Sequence, residues 1–248
     1  QEKTYIRRAV AEARRWNPRT ARAIFDFIEQ TLLLNNLQDF HEKDRPALLD
    51  FVMKVQQITG PVTAKGIEDT AFYVFNRLVS LNEVGGNPAK FGMSVEQFHQ
   101  RNVQRLRSWP HSLLATSTHD TKRGEDVRAR INVLSEMPGE WKSALKRWTR
   151  FNAAKKTSVH GAMAPDSNDE YLFYQTLMGA WPAAPVAASE MESFRERIMT
   201  YMLKATKEAK VHTNWINPDE EYDSAVQRFV HEVLTESKRN RFLKHFQT

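Results

Sequence analysis

The chain reads LLATSTHDTKRGEDVRAR over residues 113–130, and no other stretch says as much about its fold. An apolar run of strand length gives way to hydroxyl side chains, then to His119 and Asp120, then to charges typical of a helix start. In an α/β barrel, catalytic side chains lie where a strand ends in a polar tip that is followed by a helix. The stretch therefore predicts a strand over residues 112–115 with a functional site at its end.

Helical periodicity dominates the rest of the chain. Apolar positions recur every three to four residues in the remaining segments, which predicts helices over about 2–15, 18–34, 45–58, 68–76, 94–108, 124–135, 141–160, 167–181, 189–209 and 217–237. Only two β-like runs appear, at 61–64 and 112–115, and two strands cannot close an eight-stranded barrel. We expect a mainly α, multi-helical fragment with one or two short strands from a (β/α)8 barrel that is not closed within this chain.

The segments differ in character, which suggests three parts. We expect a helical bundle inserted at 1–58, a barrel-derived segment at 59–136 and a helical subdomain at 137–248 packed on it. Because barrel enzymes take catalytic residues from several strand ends, part of any site must lie outside these segments.

Composition excludes several classes of protein. With 41% hydrophobic residues among 248, the chain can bury one large core or two small ones. Cysteine is absent, which excludes disulfides, thiolate metal sites and catalysis by cysteine. No window approaches 18 consecutive apolar residues, and the chain starts at Gln1 without an initiator Met or a signal segment. We expect a piece of something longer that has no membrane partner.

The net charge of +6 is concentrated in one segment. Residues 141–160 contain no acidic side chain and six basic ones, Lys142, Lys146, Arg147, Arg150, Lys155 and Lys156. Apolar residues recur at helical spacing there, so the segment predicts an amphipathic helix with one basic face. That face is either a solvated or chain-docking surface or a polyanion site. No zinc-finger spacing and no aromatic-basic RNA-binding pattern is present, so we expect no nucleic-acid partner.

Five blocks, in order along nearly the whole chain, resemble one enzyme family. They are GPVTAKGIEDTAFY at 60–73, SLNEVGG at 80–86, the stretch at 115–130, DEYLFYQTLMGAWP at 169–182 and KATKEAKVHTNWINP at 204–218. These blocks resemble the maltooligosyl trehalose synthase family, which belongs to the α-amylase clan of retaining barrel enzymes. The resemblance implies an intramolecular transglucosylation that converts the reducing-end α-1,4 linkage of a malto-oligosaccharide into an α,α-1,1 trehalose linkage.

The resemblance also implies a role for the pair at the tip. In that clan a carboxylate nucleophile and a carboxylic acid follow two earlier strands, and a third Asp follows a later strand, after a His. His119 and Asp120 match the third block, so Asp120 is the implied transition-state stabiliser, with His119 beside it. The other two blocks are absent from residues 1–248. From the residues alone, a pair that caps the following helix or a buried polar pair remains the alternative.

Because these two blocks are absent, we expect the chain to be a central-to-C-terminal fragment of the enzyme. Its partners would be the malto-oligosaccharide substrate and the remainder of its own catalytic barrel, and the fragment alone would be inactive. The family implies no cofactor, and for such an enzyme we expect a cytoplasmic location. The alternative from a different class is a helical module that docks protein or polyanion without catalysis.

Further residues are candidates for contacts with the sugar. By resemblance Lys65 contacts the acceptor glucose, with Glu68, Asp69 and Tyr73 beside it, although a charged helix start explains the same residues.

The residues after Asp120 leave more than one interpretation open. Lys122 and Arg123 could orient Asp120, pair with Glu125 and Asp126, or be solvated. Trp215 lies in a non-helical loop and is the tryptophan best placed to stack on a sugar, whereas tryptophan at helical spacing is more often part of a core. No H-E-x-x-H, EF-hand or His/carboxylate pattern at ligand spacing is present, so we expect no metal.

Overall fold

The computed structural model describes residues 2–184 and 187–247. The chain divides into two units, Gln1–Ala64 and Lys65–Thr248. Both consist mainly of helices, and the described residues contain two short strands and no closed barrel, which confirms the mainly α fold class. The three-part division at 1–58, 59–136 and 137–248 stays a prediction.

Three helices make up the first unit. They are α1 (Glu2–Trp16), α2 (Arg22–Leu32) and α3 (Arg45–Gly66), of which α1 packs against α2. Each was predicted, although α3 extends well past residue 58. The apolar side chains buried in this unit are Phe25 and Val52. Its core is therefore small for three helices.

The strand predicted at 61–64 is wrong, because α3 continues through Pro61. A proline has no N–H to donate and normally breaks a helix. Two hydroxyls bond to backbone carbonyls here: Thr59 donates to the carbonyl of Gln56, and Thr63 donates to that of Thr59, both at 2.8 Å. A residue with an N–H at position 61 would bond the carbonyl of Gln57, so these two bonds lie on either side of the missing one. The helix continues through Gly60 and Pro61 despite the missing donor.

The strand predicted at 112–115 is also wrong. These residues have no regular structure and are exposed, Leu113 by 99%. A strand needs a neighbour for its backbone N–H and C=O groups, and within the described residues none pairs with this segment. The strands that do form are β1 (Thr157–Val159) and β2 (Ala162–Ala164), an antiparallel hairpin that the sequence analysis missed. His160 and Gly161 turn it with positive φ, as two-residue hairpin loops require.

The second unit begins with irregular elements. A π-helical turn, Ile67–Ala71, leads into α4 (Phe72–Val74), and a short turn at Val79–Leu81 follows. The next helix, α5 (Val95–Ser108), begins with a capping box, as Ser94 and Gln97 at this spacing predict: the Ser94 hydroxyl accepts from the Gln97 N–H, and the Gln97 side chain accepts from the Ser94 N–H.

The core of the second unit is built around a buried helix. The remaining elements are α6 (Glu125–Val133), α7 (Pro138–Asn152), α8 (Ser167–Ala180), α9 (Ala188–Ala209), α10 (Glu220–Leu234) and α11 (Arg241–Phe246). Helix α8 contacts α6, α7 and α9, and its apolar side chains are buried on almost every face, as apolar residues on nearly all faces of the segment predict. Helix α11 was not predicted. Among the described residues no helix has both the length and the hydropathy needed to cross a membrane.

The sequence pattern favours Ser167 as the N-cap of α8 and Asn217 as that of α10, which are one and two residues from the caps observed. Asp166 caps α8 in place of Ser167, through bonds from the backbone N–H groups of the next turn. Asp219 caps α10 in place of Asn217. Aspartate is as good a cap as serine or asparagine, so the local pattern alone could not separate them.

Gly179 marks where α8 and α6 pack most closely. A Cβ at this position would lie 2.7 Å from Val127 Cγ1 and 2.9 Å from Ile131 Cδ1. Because valine is stiff at χ1, the two helices would have to separate. We expect Gly179→Ala to lower the free energy of unfolding by about 1–3 kcal/mol, although alanine is the better helix former. Denaturant unfolding measures this.

Gly139 provides the matched control. It lies in the first turn of α7, and a Cβ there would meet nothing within 4 Å. Gly139→Ala should leave stability unchanged or raise it by up to about 1 kcal/mol. Equal effects at the two glycines would contradict the close packing of α6 and α8.

Candidate functional site

Four charged side chains from two distant parts of the sequence meet in one place. The Lys65 Nζ lies 2.5 Å from one carboxylate oxygen of Asp69, and the Lys122 Nζ lies 2.8 Å from the other. Lys122 also reaches an oxygen of Asp120 at 3.4 Å. Positive and negative groups therefore alternate in the order Lys65, Asp69, Lys122, Asp120, which we call the four-charge group. The sequence analysis had singled out all four residues.

Lys122 is the buried member of the four-charge group, with 8% of its side chain exposed. Burial by itself lowers the pKa of an ammonium, but the hydrogen bond and charge of Asp69 outweigh it and raise the pKa of Lys122. The bond from Lys122, followed by that from Lys65, holds the pKa of Asp69 below its ordinary value. Asp69 therefore carries its charge at neutral pH and orients both lysines.

His119 and Asp120 lie at the tip of a tight turn. The Thr121 N–H donates to the Thr118 carbonyl at 3.2 Å, and the Thr118 N–H donates to the Thr121 hydroxyl at 2.6 Å. Both tip side chains are exposed, and no other described residue forms a hydrogen bond with the His119 ring. The cap of α6 is Gly124, which lacks a side chain. The alternative that the pair caps this helix is therefore excluded.

Arg123 holds the segment after the turn. Its guanidinium donates to the Val79 carbonyl at 3.0 Å and to the Tyr201 hydroxyl at 2.6 Å. The side chain is buried, so it fastens the turn to the segment at 79–81 and to α9. A contact between Arg123 and a sugar stays a prediction.

Glu68 and Tyr73 flank the four-charge group and are engaged with the protein. The Glu68 carboxylate accepts from the Gly85 N–H at 3.1 Å. Tyr73 is buried, and burial raises the pKa of its hydroxyl to about 12, with a smaller contribution from Tyr201. The hydroxyl is therefore protonated at neutral pH. Sugar contacts by Glu68 and Tyr73 stay predictions.

Trp215 is exposed, as a stacking platform requires, and its described contact is with α9. The Lys207 Nζ lies 5.1 Å from the centre of its ring, and Lys207 also pairs with Asp223 at 3.0 Å. The end of α9 reaches the π-helical turn through a bond from Lys210 to the Thr70 hydroxyl at 3.3 Å. The structure does not bring Trp215 into contact with the four-charge group. Its role in sugar binding stays a prediction.

Sequence reasoning missed Glu83. Its carboxylate accepts from the backbone N–H of Lys122 at 2.7 Å, so it lies directly behind the four-charge group. The signal that could have identified it was its place in the SLNEVGG block, which the analysis quoted without assigning a role to its acid.

A second cluster of polar groups lies at the start of α8. The His212 Nε2 lies 2.9 Å from an oxygen of Asp166, and the Tyr222 hydroxyl donates to Asp169 at 2.6 Å. One ligand atom each from Asp166, Asp169 and His212 lies within 4.8 Å of the others, so these residues have the donor types of a metal site. Hydrogen bonds within the protein already engage them, which makes a helix cap and a buried polar pair a sufficient explanation.

The basic side chains of residues 141–160 are partly occupied within the protein. Lys156 pairs at 2.5 Å with the buried Glu170, and Lys155 donates to Asn152 at 2.9 Å. Arg147 contacts the ring of His245. Three of the six basic groups are thus engaged inside the unit, which weakens the polyanion-docking alternative.

Comparisons with known proteins identify relatives of the chain. No family model matches it. A Mycobacterium tuberculosis protein provisionally named maltooligosyl trehalose synthase is 43% identical over 182 residues, which are 73% of this chain and 22% of the relative. The chain is a relative of the maltooligosyl trehalose synthases.

Solved structures agree with this relationship. The maltooligosyltrehalose synthase of Arthrobacter ramosus matches 98% of the chain over 28% of its own, with a TM-score of 0.75 and 32% identity. The DSM5389 glycosyltrehalose synthase matches 90% of the chain over 30% of its own, with a TM-score of 0.66 and 35% identity. The resemblance found in the sequence blocks is confirmed. The chain spans less than a third of the length of each of these synthases.

Asp169 makes the stability of the second unit fall as pH rises. Burial raises its pKa to about 6, so the folded state holds the proton more tightly than the unfolded chain. Ionisation of Asp169 between about pH 4 and pH 6 therefore costs stability. Asp169→Asn removes the ionisation and keeps an oxygen that can accept from Tyr222. We expect the stability of the original chain relative to the variant to fall by about 1–3 kcal/mol as pH rises from 4 to 7.

Urea unfolding of both proteins at pH 4.5 and pH 7 measures this difference. A stability difference that stays constant, or that changes in favour of the original chain at higher pH, would contradict the assignment.

Proposed function

We propose that this chain forms one wall of the active site of an enzyme that acts on malto-oligosaccharides. The enzyme would convert the reducing-end α-1,4 linkage into an α,α-1,1 trehalose linkage. The observation that carries the proposal is the meeting of Lys65, Asp69, Lys122 and Asp120, which come from two blocks that resemble the synthases. The relationship to those synthases supplies the reaction.

Asp120 would stabilise the transition state. The bond between C1 of the donor glucose and the oxygen of the reducing-end glucose breaks through a state with oxocarbenium character. An ionised carboxylate can accept hydrogen bonds from hydroxyls of the donor ring, and such bonds strengthen as positive charge develops. Asp120 is half exposed at the tip of its turn and keeps its second oxygen clear of Lys122, so it is available for this role. His119 can donate to a neighbouring hydroxyl.

Lys65 would hold the reducing-end glucose, which is released in the first step and attacks the donor sugar in the second. In a retaining mechanism the donor sugar is first held covalently on a carboxylate nucleophile. The carboxylic acid would protonate the oxygen of the leaving glucose, and this glucose must then turn so that its anomeric hydroxyl attacks C1 and returns a proton to the same carboxylate, which forms the new linkage and frees the nucleophile. Lys65 is largely exposed, while its ammonium is fixed by Asp69, so it can donate to a sugar hydroxyl from a defined position. The reaction balances without a redox step, so no cofactor is part of the proposal.

The remaining carboxylates would come from a partner surface, which we propose is the rest of the same catalytic barrel. Exposed apolar side chains next to the tip support this. Leu113 is fully exposed, and Leu114 and Trp109, within four residues of it in the sequence, are largely exposed. Large exposed apolar side chains that lie together mark a contact with other protein. A cytoplasmic location is part of the same proposal.

Asp120→Asn tests the role of the carboxylate. The amide is the same size but has no charge and only one acceptor oxygen. In the full-length protein we expect the variant to fold normally and to lose at least about a hundredfold in kcat for trehalose-linked product, which corresponds to about 3 kcal/mol of transition-state stabilisation. Product formation from a malto-oligosaccharide is measured by chromatography.

Asp126→Asn serves as the control. This exposed aspartate lies six residues further along, in the first turn of α6, and we place it outside the site. Its variant should keep normal turnover. An Asp120→Asn protein with kcat within threefold of the original would contradict the site, and an original protein that forms no trehalose linkage would contradict the reaction.

A further inference from the structure

The carboxylate of Glu83 accepts hydrogen bonds from the backbone of a distant loop and lies near an arginine of α6. It accepts from the backbone N–H of Lys122 at 2.7 Å and from that of Arg123 at 3.2 Å. The Arg128 guanidinium lies 3.8 Å from the same carboxylate. These residues are about 40 positions from Glu83, so the contacts are tertiary and not part of a local turn.

Glu83 holds the loop at 116–123 by both ends. Its direct bonds reach the end that contains Lys122 and Arg123. The other end is reached through Arg128, which donates to the Thr116 carbonyl and lies 3.4 Å from the Ser117 hydroxyl. The turn that presents Asp120 lies between these two anchored ends.

Glu83 is itself held in place by its neighbours. The adjacent Asn82 is buried and donates to the carbonyls of Phe72 and Phe75, both at 2.8 Å, which ties the segment to α4. Gly86 closes the following turn by donating to the Glu83 carbonyl at 2.7 Å. A Cβ on Gly86 would lie only 2.7 Å from that carbonyl oxygen, so the turn requires glycine. The carboxylate therefore extends from a rigid base.

We propose that Glu83 is a positioning residue for the reaction, which sets the loop so that Lys122 and Asp120 reach their working places. This inference rests on the proposed function. Glu83 does not contact the sugar in this account, since its side chain is only 16% exposed and its oxygens already accept from the loop. A carboxylate suits the role because it offers two acceptor oxygens and no donor. Glutamine would turn an NH2 group toward one of the backbone N–H donors.

The effect of losing this anchor should appear in turnover. Displacement of a catalytic group by about 1 Å can cost on the order of a hundredfold in rate. In the full-length protein we expect Glu83→Gln to lower kcat for trehalose-linked product by ten- to a hundredfold, with KM for the malto-oligosaccharide changed less than threefold. Glu83→Asp keeps the charge and both oxygens but is shorter by one methylene, so its kcat should lie between those of the original and Glu83→Gln.

Hydrogen exchange gives a second readout that does not depend on activity. The amides of Lys122 and Arg123 should exchange at least tenfold faster in Glu83→Gln, while those of the buried helix α8 keep their protection. Glu125→Gln is the matched control, because Glu125 is an exposed glutamate at the start of α6 with the same change of charge. It should leave kcat and the exchange of both amides unchanged.

The possible outcomes distinguish the positioning role of Glu83 from the proposed function. If the original protein forms no trehalose linkage, the proposed function fails. If it does and Glu83→Gln keeps kcat within threefold, the positioning role is overturned. The role is also overturned if kcat falls only in proportion to a loss of folded protein, seen as lost protection in α8, or if the amides of Lys122 and Arg123 keep their protection.

Discussion

The Lys122 ammonium can stay out of water only because carboxylates lie beside it. An unpaired buried charge costs several kcal/mol, whereas a paired one whose remaining donors are satisfied is tolerated. Asp69 supplies the pair at 2.8 Å, and an oxygen of Asp120 lies 3.4 Å from the same ammonium. Asp69 belongs to the turn after α3 and Lys122 to the turn before α6, 53 residues later. The pair therefore requires these segments to meet, and the arrangement of the proposed site follows from that meeting.

Other residues of the second unit support the place where these two segments meet. Buried Gln175 on α8 accepts from the Val79 N–H at 2.9 Å and donates to the Asn76 carbonyl at 2.8 Å, which fixes the segment that precedes Glu83. Val79 in turn accepts from Arg123 through its carbonyl. A chain of hydrogen bonds thus runs from the helical core to the loop with Asp120. The helical core can therefore be rigid while the turn with Asp120 stays exposed. A functional site requires both, because its side chains must be accessible to substrate and held by rigid elements.

Local signals in the sequence predicted most of the helices, because capping and periodicity act over a few residues. The capping box at Ser94 is one example. The two strand predictions failed for reasons outside that range: residues 112–115 have no partner strand among the described residues, and α3 continues through Pro61. The candidate site was likewise predicted only in part. Resemblance selected the residues of the four-charge group, but contacts made over dozens of residues, such as those of Glu83, could not be predicted from spacing.

A double-mutant cycle between Asp69 and Lys122 measures how strongly this ion pair joins the two segments. The proteins are Asp69→Asn, Lys122→Met and the double variant, and denaturant unfolding gives the free energy of each. The pair predicts that the single changes do not add, with a coupling free energy of about 1–3 kcal/mol, because removing either partner leaves the other buried and less well paired. Additive effects, within about 0.3 kcal/mol, would show that the two segments do not depend on this ion pair and would contradict the account.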